Sequence, residues 1–298
     1  MKLALLQLNS GADMAANIAT VEAMVREAAG AGATFIATPE NTFLMEASSS
    51  SPHHPSPRGF GGRSPNPLPK GEGVKKYSQE NHPAIIATQA LAKECGVWIL
   101  IGSVAVIPSN GDGKCYNRSL LINPEGCITA TYNKIHLFDV DVPNDRSYRE
   151  SDRFSAGDKA VTASLSTINH QPSTTLGMTI CYDLRFPHLY RSLAKMGANI
   201  LAVPAAFTAV TGEAHWHVLL RARAIENGCF VIAPAQTGTH ADGRKTYGHS
   251  LVVDPWGRVL ADGGTEVGIV YADIDVGEVA KVRMRLSSLE HDRPFSFV

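Results

Sequence analysis

Residues 97–133 read VWILIGSVAVIPSNGDGKCYNRSLLINPEGCITATYN. Runs dense in Val, Ile and Leu follow one another at 97–107, 118–122 and 128–133, and β-branched runs bounded by Gly, Pro and Asn read as strands. Strands joined so directly exclude a purely parallel sheet, because a parallel pair needs a crossover of about a dozen residues. Before this stretch the pattern predicts strand 2–8, helix 14–30, strand 34–38 and helix 83–95. After it come strands 161–168 and 174–180, helix 189–196, strand 199–204, helix 215–227 and strand 229–235. Strands 250–253 and 268–274 and a helix at 276–286 close the chain. Strands alternating with helices imply an α/β layered domain, built as a mixed sheet or as two packed sheets with helices outside.

Composition narrows the class. Of 298 residues 44% are hydrophobic and 18% charged, enough apolar material for one large core or two ordinary ones. Global disorder, collagen and small disulfide scaffolds are excluded. Lys and Arg number 27 against 28 Asp and Glu, so no basic excess invites nucleic acid or an anionic membrane. Five cysteines without CxxC spacing argue against a secreted disulfide framework, and the expected compartment is a reducing cytoplasm. The apolar run at 3–6 is too short for a signal-peptide core and reads as a strand. No run of about 18 apolar residues is present, so no membrane span is expected.

One segment breaks the pattern. Residues 48–73, SSSSPHHPSPRGFGGRSPNPLPKGEG, hold six Ser, six Pro and five Gly. Proline on that scale fits neither helix nor central strand, and too few apolar groups remain to offset an ordering entropy of about 1–2 kcal/mol per residue. A mobile surface insertion is expected, with a lid over a site as the alternative.

Cys181 follows the apolar run Leu176-Gly177-Met178-Thr179-Ile180 and precedes a predicted helix, at a strand-to-loop turn where nucleophiles are commonly displayed. A free thiol is mostly protonated at neutral pH, so a catalytic cysteine needs a base or a cationic neighbour. Glu40 lies just past strand 34–38, where desolvation is expected to raise its pKa toward a general-base range. Lys134, also past a strand, offers an ammonium for an oxyanion, and Glu150 follows Arg149, with which it could simply form a surface ion pair. Taken singly, each reads more readily as a structural residue than as a catalytic one. The remaining cysteines, Cys95, Cys115, Cys127 and Cys229, read as packing residues. His215 and His217 are an obvious pair to test for metal binding, but side chains two apart on a helix diverge. His249 reads as a buried hydrogen-bonding histidine, and Arg223 with Glu226 as an ion pair one helical turn apart.

Together the segments are specific. PEN at 39–41, YNKIHLFD at 132–139 and GMTICYDLRFP at 177–187 resemble, in order and separation, the three signatures of the nitrilase, or carbon–nitrogen hydrolase, superfamily. PAAFTAVTGEAHWHVLLRARAIEN at 204–227 and TYGHSLVVDPWG at 246–257 strengthen the likeness, which runs through the chain except for 48–73. The resemblance implies one carbon–nitrogen hydrolase domain over 1–298, an α/β four-layer αββα sandwich with no metal or organic cofactor. It also implies Cys181 as nucleophile, Glu40 as general base, Lys134 as stabiliser of the tetrahedral intermediate and Glu150 as the group that orients the lysine and amide. The backbone N–H of Tyr182 would be a second oxyanion donor.

The C-terminal half is most similar to the superfamily's deaminated glutathione amidase branch, with the ω-amidases close behind, which implies a small anionic substrate, the amide of a 2-oxo dicarboxylate. Arg185 is a candidate partner for its carboxylate, with an ion pair to Asp183 as the alternative, and Arg244 and Tyr247 are further candidates. The helix carrying Arg221 and Arg223 is similar to one near a subunit interface in relatives, so a homodimer or larger homo-oligomer is expected. The readings left open are a carbamoylase or nitrilase, an acyltransferase, and a non-catalytic scaffold of the same fold.

Overall fold

The computed structural model describes residues 1–45, 76–108, 113–142, 147–165 and 174–296. The expected insertion at 48–73 therefore lies outside the described residues. Two six-stranded sheets form the body of the molecule. The first contains β1 (Lys2–Gln7), β2 (Phe35–Ala37), β3 (Trp98–Val106), β4 (Tyr116–Ile122) and β5 (Ile128–Asn133). A short ribbon follows, β6 (Asp139–Asp141) with β7 (Ser147–Arg149). The second sheet contains β8 (Val161–Leu165), β9 (Thr174–Met178), β10 (Ile200–Ala202) and β11 (Phe230–Ala233). After the ribbon β12 (Thr237–Thr239) and β13 (Lys245–Tyr247), the second sheet is completed by β14 (Leu251–Val253) and β15 (Val259–Asp262). The last strand, β16 (Gly268–Asp273), returns to the first sheet.

Strand order is β16-β1-β2-β3-β4-β5 in one sheet and β15-β14-β11-β10-β9-β8 in the other. Each has three parallel strands at its centre and antiparallel strands around them. The parallel sets are linked by helices: α1 (Met14–Gly30) and α2 (Pro83–Cys95) in the first half, α3 (Pro187–Lys195) and α4 (Ala209–Asn227) in the second. A last helix, α5 (Gly277–Arg285), follows β16.

Period-two alternation sets the layers. Leu3, Leu5, Phe35, Ala37, Leu100 and Leu121 point into the core shared with the second sheet. Their neighbours Ala4, Leu6, Ile36, Ile99, Ile101 and Leu120 point the other way, onto Val21, Val25 and Ala28 of α1 and Ile85 and Leu91 of α2. Leu189 and Leu193 of α3 and Trp216, Leu220 and Ala224 of α4 join the core of the second sheet. The architecture is the αββα sandwich.

Two expectations are corrected. Helix α4 begins at Ala209, six residues before the expected 215, although 209–212 contains Val, Thr and Gly. Packing overrides propensity there: a Cβ on Gly212 would stand 2.3 Å from Cβ of Tyr247, so only glycine lets the helix approach β13. Cys127 is exposed, sitting in the β4–β5 turn with its N–H donated to Asn123 Oδ1, whereas Cys115 and Cys229 are buried. No helix among the described residues is long and apolar enough to cross a membrane.

Candidate active site

The strands of both sheets end at a shared seam. Past β2 the chain turns sharply through Thr38 to Thr42, pinned by Thr42 Oγ1 donating to the Pro39 carbonyl at 2.6 Å and by the Asn41 N–H on Ser103 Oγ at 2.9 Å. Asn41 takes φ 55°, which an asparagine tolerates better than most residues. Gly102 makes the turn fit, since a Cβ there would lie 2.1 Å from the Thr38 carbonyl oxygen. Glu40 is thereby aimed inward and is only 4% exposed.

Lys134 leaves β5 with its N–H on the Asn117 carbonyl at 2.9 Å, and its Nζ lies 2.8 Å from Glu40 Oε1 and 2.8 Å from Glu150 Oε2. Glu150 is thus no partner of Arg149, which pairs with Asp141 on the surface. Asn117 Nδ2 donates to Glu40 Oε1 and Glu150 Oε1, both at 2.9 Å, while the Phe138 N–H holds Glu150 Oε2 at 2.7 Å. From the second sheet, the Ala206 N–H donates to Glu40 Oε2 at 2.9 Å. Two carboxylates, one ammonium and three fixed donors compensate one another in a largely buried cluster, which such buried charge requires.

Cys181 joins this set from β9. Its N–H is held by the Pro204 carbonyl at 2.9 Å, and its φ of 46° is a left-handed value that turns the strand abruptly into the 3₁₀ turn Cys181–Arg185. The thiol hydrogen-bonds with the Glu40 carboxylate and faces the Lys134 ammonium and the Ala206 N–H. Tyr182, whose N–H was the expected second oxyanion donor, is the next residue in that turn.

The expected upward shift of Glu40 does not occur. Burial pushes its carboxyl up, but the Lys134 charge and the hydrogen bonds from Lys134, Cys181 and Ala206 outweigh it and hold the group below the usual range. The Cys181 thiol is driven well up by burial and by the Glu40 charge, against the pull of Lys134. Burial works against the Lys134 ammonium, yet Glu150 and Glu40 hold it firmly protonated. The resting site is a neutral thiol facing an ionised carboxylate with a cation beside it.

Asp183, two residues past the cysteine, is fully buried and locks the two sheets together. It accepts from Tyr132 Oη at 2.7 Å, the Ile180 N–H at 2.9 Å and the His136 N–H at 3.0 Å, and its Oδ1 lies 2.7 Å from His136 Nδ1. The lysine loop and the cysteine turn are tied through this one carboxylate. Asp183 is therefore not the partner of Arg185. The Arg185 guanidinium lies over the Phe207 ring at 5.2 Å and meets His215 Nδ1 at 3.3 Å, and among the described residues no carboxylate pairs with it.

Arg244 packs its Nη2 on Met45 Sδ and leaves its buried Nε without a partner. It also lies within electrostatic reach of Arg153, which burial and then this like charge pull below its ordinary value. Tyr247 goes elsewhere: it stacks on His249 at 4.5 Å and lies edge-on to His217. His215 and His217 diverge as expected, to Arg185 and Asp262, while Arg223 and Glu226 pair at 3.0 Å. His249 is 23% exposed at its side chain rather than buried.

From sequence alone Asn117 passes unremarked, and Asp183 enters only as a possible ion-pair partner of Arg185. The signal for Asn117 is a polar residue on the same strand face as core Leu121. For Asp183 it is only an acid in the turn that follows an apolar strand.

Comparison with known proteins gives concordant results. A family model described as carbon–nitrogen hydrolase matches residues 2–284. A deaminated glutathione amidase of Synechocystis sp. is 39% identical over 292 residues, covering 97% of this chain and 96% of that protein. A human omega-amidase is 35% identical over 292 residues, covering 98% and 95%. The crystal structure of the C. elegans NitFhit protein superposes with a TM-score of 0.77 at 32% identity over 98% of this chain, which spans 65% of that longer one.

Proposed function

The chain belongs to the carbon–nitrogen hydrolase family and is an amidase, and from that premise we propose that it cleaves its amide through a thioester on Cys181. The supporting observation is the buried contact of thiol, Glu40 carboxylate and Lys134 ammonium. In this reading Glu40 accepts the thiol proton as Sγ attacks the carbonyl carbon. The oxyanion is stabilised by Lys134 and the Tyr182 N–H, one such donor being worth about 2.7–4 kcal/mol. Glu40 returns the proton to the departing amine, then takes one from the water that opens the thioester. Glu150 acts through Lys134, fixing its direction.

The preferred substrate is the amide of a 2-oxo dicarboxylate such as deaminated glutathione, a metabolite-repair reaction. The relatives' names support this, as does cationic capacity: Arg185 without a paired carboxylate among the described residues, and Arg244 beside Arg153. An ω-amidase acting on 2-oxoglutaramate is the second reading, favoured by the 35% relative. A panel of deaminated glutathione, 2-oxoglutaramate, carbamoyl amino acids and nitriles is expected to give its highest kcat/KM on the first. Arg185→Gln is expected to raise KM for anionic amides about tenfold to a hundredfold, the loss of one charged hydrogen bond, and to leave neutral amides almost unchanged. An equal effect on both classes, or a preference for neutral amides, overturns the substrate assignment.

The chain also presents a face for a second copy of itself. Val218 and Ile225, two turns apart on α4, are 67% and 43% exposed, and Trp256, beside Gly257 against Ile225, is 58% exposed. A homodimer through α4 is the expected state at micromolar concentration, and a monomer in sedimentation removes it. The free state of all five cysteines fits a reducing cytoplasm.

A further inference from the structure

We propose that His217, His249 and Asp262 form a site for one divalent transition-metal ion of borderline softness, zinc or cobalt(II) in kind, distinct from the amidase centre. Sequence spacing pairs His217 with His215, but the fold pairs it with a histidine from another element. His217 lies within α4, His249 between β13 and β14, and Asp262 ends β15. His217 Nε2 is 2.9 Å from Asp262 Oδ2, and His249 Nδ1 is 2.8 Å from Asp262 Oδ1. One ligand atom from each of the three residues lies within 4.8 Å of the others. Zinc binds imidazole nitrogen at about 2.0–2.1 Å and carboxylate oxygen at about 2.0–2.2 Å, so tetrahedral donors sit roughly 3.3 Å apart. To reach that spacing the two hydrogen-bonded pairs, at 2.9 and 2.8 Å, open slightly, and any separation toward the 4.8 Å limit closes by side-chain rotation. Two imidazoles with one carboxylate suit such ions better than calcium or magnesium, which prefer all-oxygen shells.

The donors are held in place. Asp262 Oδ1 accepts the Gly264 N–H at 2.9 Å, Trp216 Nε1 donates to the His249 carbonyl at 2.8 Å, and Tyr247 stacks on the His249 ring. Outer contacts of this kind orient ligands before an ion arrives. Side-chain exposures of 32%, 23% and 34% leave the outer coordination positions open to solvent. A bound ion would staple α4 to the edge strand β15.

The test uses the full chain, stripped with chelator and carrying Cys181→Ser so that the active-site thiol cannot bind metal. Titration with cobalt(II) is expected to give one ion per chain, with visible d–d bands and no sulfur charge-transfer band. Zinc is expected to displace the cobalt and to raise the melting temperature, as binding to the folded state alone must. His217→Gln and Asp262→Asn, with circular dichroism unchanged, should each weaken binding by more than the roughly 10–100-fold that loss of an outer-shell partner costs. No saturable binding up to about 100 μM, or binding unaltered in both variants, overturns the proposal and leaves the trio as a hydrogen-bonded staple.

Discussion

Cys181→Ala is expected to lose at least about four orders of magnitude in amide turnover while unfolding at nearly the wild-type denaturant midpoint, because removing the nucleophile of a catalytic set abolishes the set's joint action. The two halves of this prediction have separate causes. Alanine, like cysteine, carries a Cβ, so the left-handed φ of 46° costs no more in the variant than it does now. The Ala206 N–H and Lys134 still satisfy Glu40 once the sulfur is gone, so no buried charge is orphaned. Stability should change by no more than about 1 kcal/mol. Buried Cys229 offers no substitute: its sulfur is engaged by Arg283 and the Ala198 carbonyl, not by Glu40. Wild-type protein should take up one more equivalent of a small electrophile than the variant, the difference mapping to Cys181, because exposed Cys127 is available in both. Turnover by Cys181→Ala at even a hundredth of the wild-type rate would remove the proposed nucleophile.

Lys134→Ala is expected to be costly in both stability and rate, and its stability loss to depend on pH in the opposite sense to an ordinary acid limb. Removing one partner of a buried ion pair typically costs about 3–5 kcal/mol, because the remaining charge is left uncompensated. In the wild type the Glu40 carboxyl is held below its ordinary value near 4.5, so its contribution is present above that pH and fades as pH falls through the depressed value. In the variant the Lys134 charge and its hydrogen bond are gone, and burial, the largest influence, is opposed only by the hydrogen bonds from Cys181, Ala206 and Asn117, so the carboxyl rises. The variant is then most stable in acid and loses stability as pH rises through the raised value. The gap between the two proteins should widen from about pH 4 toward pH 7. Turnover should drop by at least about two to three orders of magnitude, the loss of one oxyanion donor, with a further loss where Glu40 is protonated. Denaturant midpoints across that pH range check this; a gap that stays constant or narrows as pH rises is incompatible with the buried pair.

Long elements were legible because their period is repeated often enough to show. Helices at 14–30 and 83–95 fall where the apolar spacing puts them, and the direct succession of β3, β4 and β5 announced antiparallel pairing. Strands β12 and β13, of three residues each, and β15, of four, span at most two periods and show no apolar alternation to read. The early start of α4 rests on a tertiary contact, Gly212 against Tyr247, to which local propensity is blind. The same division holds at the site. Glu40, Lys134 and Cys181 lie in recognisable segments at strand ends, but the sign of the Glu40 shift depends on three partners from distant parts of the chain, Lys134, Cys181 and Ala206. Asp183 is likewise defined by what crosses the seam, Tyr132 and His136, and nothing in residues 180–186 foretells them.

The pairing of β1 with β16 has a consequence for how the molecule is assembled. Lys2 lies opposite Asp273, and Gln7 opposite Gly268, so one edge of the first sheet closes only when strands some 260–270 residues apart meet. Contacts of such long range make folding slow, because loop closure precedes any gain from pairing. On the ribosome β1 waits, with one flank open, until residues 268–273 have emerged. A ribbon left unpaired for that long can recruit a neighbour's strand, so nascent chains rather than finished molecules are where this protein is most exposed to aggregation and most in need of a chaperone.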